Sequence, residues 1–108
     1  MKKKNSDQEN YELQARICKA LANPIRLHLI EMLGKKERWA SELQEGLGIS
    51  KANLSQHLSV LRAAGVVSTQ RDGKQIYCGI ALPQIKQASL LLKTLTKEAA
   101  RSGRRAMA

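Results

Sequence analysis

At 108 residues with a formal net charge of +10, 43% hydrophobic residues and two cysteines, the chain has the size of one domain, near the length at which self-association often completes a small core. It holds no run of about 18 apolar residues to cross a membrane, and Met1-Lys2-Lys3-Lys4 leads into polar residues rather than a signal-peptide core. Cys18 and Cys78 lack the spacing of a zinc site or a disulfide framework. The expectation is a cytoplasmic protein with reduced thiols, no membrane contact and a polyanionic partner.

Residues 1–8 read as a disordered polar and basic tail. From Glu9 a helix is expected, with Leu13, Ile17, Ala20 and Leu21 at helical spacing. Asn23 followed by Pro24 is a strong helix start, because proline lacks only an amide that would be unpaired there anyway. The second helix, Ile25 to Leu33, turns Ile25, Leu29, Met32 and Leu33 inward and closes at Gly34. A third, roughly Trp39 to Leu47, places Ala40, Leu43 and Leu47 on its inner side. Gly48-Ile49-Ser50 then makes a short turn with an apolar corner, which describes a helix-turn-helix unit.

Ser50 to Gly65 reads S-K-A-N-L-S-Q-H-L-S-V-L-R-A-A-G. Ser50 is a preferred N-cap, Leu54, Leu58 and Leu61 share one stripe, and Gly65 supplies a helix stop. At about 100° per residue, Ala52, Ser55, Gln56 and Ser59 fall opposite the leucines, with Lys51 and Asn53 near the first turn. Ordinary solvated faces are dominated by Glu and Lys. This one carries hydrogen-bonding groups able to read base edges and no acid from Lys51 to Ala64.

After Gly65 the period changes to two, and β-rich runs around Asp72-Gly73 predict a hairpin whose tip bears Arg71 and Lys74. A last helix follows Pro83, with Ile85, Ala88, Leu91, Leu92 and Leu95 on an apolar face that a second copy of the chain would cover. Residues 9–97 are expected to form the domain and 98–108 a basic tail. Charge follows the reading helix: residues 1–45 are net +2 and residues 46–108 net +8, and without Lys2, Lys3, Lys4, Arg101, Arg104 and Arg105 the chain keeps +4.

Helix, helix, helix-turn-helix, hairpin, helix is a winged helix-turn-helix, mainly α with a small β-hairpin wing. Three stretches resemble the ArsR-type (ArsR/SmtB-like) bacterial repressors: A-L-A-N-P-I-R-L-H-L-I-E-M-L from Ala20 to Leu33, S-x-x-x-L-S-Q-H-L-x-x-L-R-x-A-G-V-V from Ser50 to Val67, and R-D-G-K-Q-I-Y from Arg71 to Tyr77. The resemblance implies a homodimer held by its first and last helices, sitting on a pseudo-palindromic operator of double-stranded DNA and blocking transcription until an inducer weakens binding. The expected DNA-binding set is Ser50, Lys51, Ala52, Asn53, Ser55, Gln56, His57 and Ser59 on the reading helix, with Arg71 and Lys74 on the wing at 70–75. The expected dimer set is Leu13, Ile17, Ile85, Ala88, Leu91, Leu92 and Leu95.

His57 matches the family's Q-H-L and either donates to a phosphate or braces the helix; Arg26, matching Pro-x-Arg, serves structure or DNA. His28 is read as a structural side chain. Family members that sense metal through the third helix carry E-L-C-V-C-D-L, where this chain has E-R-W-A-S-E-L from Glu37 to Leu43. Trp39 and Ser41 offer no soft donor, and Pro83 to Thr96 holds no His, Asp, Glu or Cys. No metal and no cofactor are therefore expected; no enzyme activity is expected either, since no nucleophile–base pair, carboxylate pair or phosphate-binding glycine loop can be assembled, and the sequence names no inducer, redox or small-molecule. Thiol-sensing members pair cysteines of the second and last helices, positions that Cys18 and Cys78 do not occupy. The rival readings are a non-specific architectural DNA binder and a winged-helix protein-interaction module.

Overall fold

The computed structural model describes residues 6–107, so Lys2 to Lys4 and most of the expected N-terminal tail lie outside the described residues, as do Ala108 and the side chains of residues 104–107. In chain order the elements are α1 (Ser6–Leu21), α2 (Pro24–Lys35), β1 (Arg38–Trp39), α3 (Ala40–Leu47), α4 (Lys51–Ala63), β2 (Val67–Asp72), β3 (Gln75–Ile80) and α5 (Ile85–Met107). The three strands form one antiparallel sheet in the order β1-β3-β2.

Local chemistry accounts for most boundaries. The Asn23 side chain accepts from the amides of Ile25 and Arg26 at 2.9 and 3.2 Å and starts α2, with Pro24 in its first turn. Gly48 takes φ 64° at the end of α3, so the chain turns sharply into α4. At the other end of α4, the Val66 amide donates to Leu61 O and the Gly65 amide to Arg62 O, with Gly65 at φ 76°. That pair of bonds is a Schellman closure, and its left-handed residue strains any side chain larger than glycine's hydrogen.

α4 buries the expected stripe: Leu54, Leu58 and Leu61 are 2%, 5% and 0% exposed. They join Leu29, Ile30 and Leu33 of α2, Leu43 of α3, Val66 and Val67 at the start of the wing, and Cys78 of β3 in one core. The hairpin pairs Asp72 with Gln75, leaving Gly73-Lys74 as a two-residue tip.

Five expectations need correction. Trp39 does not open the third helix; with Arg38 it forms β1, paired to Tyr77 and Cys78 of β3, and its ring packs against that of Tyr77 at a tilt of 53° with centroids 4.8 Å apart. Residues 6–8 are helical, and α5 continues to Met107 through residues read as a basic tail, because Lys, Glu, Ala and Arg are all good helix formers. Ile85 is 4% exposed and belongs to the protomer's own core, so it is not free for a partner. His28 is exposed rather than structural. α5 is further tied to α2 by Lys93 Nζ donating to Glu31 Oε1 at 2.8 Å, and that bond together with the ammonium's charge holds the Glu31 carboxyl below its ordinary value.

Because the stripe is buried and the opposite face is not, Leu54→Ala is expected to lower unfolding free energy by about 2–5 kcal/mol, and Ser59→Ala to change it by no more than about 0.5 kcal/mol. Denaturant titrations at one fixed protein concentration check both.

Candidate nucleic-acid interface

α4 enters its first turn capped by Ser50, whose Oγ accepts the Asn53 amide at 3.1 Å. Lys51, Ala52, Ser55, Gln56 and Ser59 are then exposed on the face opposite the leucines, while Asn53 is half-buried. Between α4, the wing and the start of α3 lies a groove of about 330 Å³. Leu54, Leu58 and Ile76 supply its apolar lining, and Lys51, Arg62, Arg71 and Lys74 bring four cations to it. No acidic side chain lines it among the described residues. Closely set cations with hydrogen-bonding groups between them match a phosphate backbone flanking base edges.

The groove collects Lys51, Ser55, Ser59, Arg71 and Lys74 from the expected DNA-binding set. Ala52 and Gln56 are exposed beside it on the same helix. Ser50 is engaged as the cap, and His57 faces elsewhere: Arg26 Nη1 lies 3.3 Å from its Nδ1. A guanidinium only donates, so Nδ1 must be the accepting nitrogen and the ring proton sits on Nε2. Burial first, and the Arg26 charge second, hold the His57 pKa below its ordinary value. The neutral, accepting ring fits that environment. Of its two sequence-level readings, bracing is the one this contact supports.

Sequence pattern missed several contributors. Arg62 Nη1 donates to Thr69 Oγ1 at 3.0 Å and ties the last turn of α4 to the first wing strand. Trp39, Ser41 and Gln44 also line the groove. None of these pairings has a local signature, since each depends on how the wing folds back over the helix.

Away from this face, Tyr11 is 71% exposed and Leu13 52% on α1, while Leu90, Leu91, Leu92 and Leu95 are 67%, 60%, 41% and 54% exposed on α5. Ala88 is exposed and Ile17 half-buried against the core. Tyr11 and Leu90 thus join the apolar set that the sequence reading anticipated. No group of three His, Cys, Asp or Glu side chains is placed to hold a metal among the described residues. Cys18 is exposed on α1; Cys78 is buried in β3, where loss of hydration pushes its thiol up to about 11. No helix among the described residues is long and apolar enough to cross a membrane.

A family model described as a helix-turn-helix domain matches residues 13–70. The HTH-type transcriptional regulator Rv0081 of Mycobacterium tuberculosis is 42% identical over 78 residues, 71% of this chain and 68% of its own length. Among solved structures, the homodimeric winged helix-turn-helix DNA-binding domain of Mb0332 from Mycobacterium bovis, described as a possible ArsR-family transcriptional regulator, is 25% identical with a TM-score of 0.80 and covers 93% of each chain. The transcriptional repressor BigR from Xylella fastidiosa is 34% identical with a TM-score of 0.73, over 86% of this chain and 96% of that one.

The depressed His57 pKa carries a sign for stability. Between its folded value and about 6.5 the unfolded chain binds more protons, so stability is complete above about 6.5 and falls as pH drops through the folded value. Denaturation midpoints taken between about pH 5 and 7, above the carboxylate range, should fall with pH in the wild type and fall less in His57→Asn. Equal slopes in the two proteins would contradict the depressed His57 pKa.

Proposed function

The chain belongs to the ArsR-type winged helix-turn-helix transcriptional regulators, and from that membership we propose that it acts as a homodimeric repressor on a pseudo-palindromic operator. The observation that carries the reading is the acid-free polar face of α4 beside a groove holding four cations. α4 enters the major groove, which is wide enough for one helix, and the wing lies along the backbone or in the adjacent minor groove. Lys51, Arg62, Arg71 and Lys74 pair with phosphates and provide most of the affinity. Asn53, Ser55, Gln56 and Ser59 read bases; Gln and Asn can each bond adenine bidentately.

The homodimer rests on the unpartnered apolar side chains of α1 and α5. Tyr11 and Leu13 on one helix and Leu90, Leu91, Leu92 and Leu95 on the other leave more apolar surface in water than single scattered residues would. Pairing through both helices covers them and places two copies of α4 about one duplex turn, 34–36 Å, apart. A DNA-binding regulator of this kind works in the cytoplasm, and no metal is assigned to it. Neither metal position seen in the family is kept, since Trp39 and Ser41 replace the thiolates of the first and Pro83 to Thr96 holds no His, Asp, Glu or Cys for the second.

The division of labour is tested with two variants on the selected operator and on random duplex. Gln56→Ala should lose about 1–3 kcal/mol of discrimination while keeping its affinity for random DNA. Lys74→Ala should weaken both duplexes alike and reduce the salt slope by about one. Equal losses on operator and random DNA for both variants would reject base reading by α4, and footprints without a protected palindrome would favour an architectural binder.

A further inference from the structure

Arg26 sits in the first turn of α2, half-buried, with its own amide held by Asn23 Oδ1 at 3.2 Å. The root of the side chain is therefore fixed. Its guanidinium reaches two other elements at once: Nε donates to Ala20 O, Nη2 donates to Lys19 O at 3.3 Å, and Nη1 donates to His57 Nδ1 at 3.3 Å. The carbonyls of Lys19 and Ala20 are in the last turn of α1, the negative end of that helix, where carbonyls lack partners within the helix. His57 is in the middle of α4. One planar cation thus spans the end of α1 and the side of α4.

Apolar packing alone does not fix this relation. Ala20, Leu21 and Leu58 share the core, but burial is non-directional and tolerates small rotations. A guanidinium fork is directional, and each of its three nitrogens donates to a protein partner, using three of its five N–H groups. Lysine could not reproduce it, since a single ammonium cannot address three acceptors in one plane.

We propose that Arg26 is a positioning residue for operator recognition: by locking α4 to the end of α1 through His57, it sets the half-site spacing that the dimer accepts. The inference rests on the dimeric reading above, in which α1 is part of the pairing surface. In a two-fold dimer any tilt of α4 relative to α1 appears twice, once in each protomer, and so is read as a change in the distance between half-sites.

The test uses the full chain and an operator selected from random duplexes by the wild type, rebuilt with its half-sites one base pair closer and one further apart. Wild type should prefer the selected spacing. Arg26→Lys should lose about tenfold in affinity there, the size of one charge-assisted hydrogen bond, and discriminate poorly among spacings. Sedimentation should show it still dimeric, and its affinity for random DNA should be unchanged within about twofold. His57→Phe, which keeps the ring and removes the acceptor, should behave like Arg26→Lys. His57→Asn, whose Oδ1 stands near the position of Nδ1, should retain the spacing preference. The combined Arg26→Lys, His57→Phe variant should be no worse than either alone, because both remove one contact. If Arg26→Lys and His57→Phe weaken binding equally at every spacing, the proposal is wrong and the dimeric reading stands. If the wild type itself is monomeric or indifferent to spacing, the dimeric reading fails and takes the proposal with it.

Discussion

Burial of Leu54, Leu58 and Leu61 is the constraint on which the recognition surface depends. With that stripe committed to the core, α4 cannot turn far about its axis without exposing leucine, and each fully buried leucine is worth about 1.5–3 kcal/mol. The opposite face is thereby obliged to meet water or a partner. Gly48 and Ile49 decide where the helix starts, and the Gly65 closure returns the chain so that Val66 and Val67 bury beneath the hairpin. The wing then stands beside the helix it serves, braced by the Arg62 to Thr69 bond.

Apolar residues are divided between two uses. Those of α2, α3, α4 and the wing fill one core, together with Ala20 and Leu21 at the end of α1 and Ile85 at the start of α5. Most of the large apolar side chains on the middle of α5, and Tyr11 and Leu13 on α1, remain outside it. A domain of this size has too few elements to cover them. Self-association is the answer proposed above, and in that proposal the last turn of α1 links the pairing surface to the recognition surface. The same economy explains the site's electrostatics: the second half of the chain carries most of the net charge, and the groove gathers four of its cations.

Legibility in the sequence followed the range of the interactions. Ser50, the three leucines and Gly65 are local signals, and α4 begins, packs and ends where they place it. Asn23-Pro24 marked α2 equally well. β1 escaped because two residues have no period, and only pairing with Tyr77 and Cys78 makes them a strand. The stripe holding Ile85 shows which side of α5 is apolar and not how far along it the protomer's own core extends. The role of Arg26 was open for a related reason: its motif is local, but His57 lies 31 positions away, and a hydrogen bond at that separation has no sequence pattern. At the end of α5, positive charge resembles a tail in sequence, although the same residues favour a helix.

The most direct measurement is the distance between the two recognition helices in the free protein. Val60→Cys in a Cys18→Ser background places a spin label on an exposed position of α4 outside the base-reading set, with Cys78 protected by burial. Pulsed dipolar spectroscopy should give one population centred at about 35 Å, one turn of duplex, and little change on adding operator. Absence of a dipolar signal, or a distance far from one duplex turn, would contradict a dimer preset to read two successive major grooves.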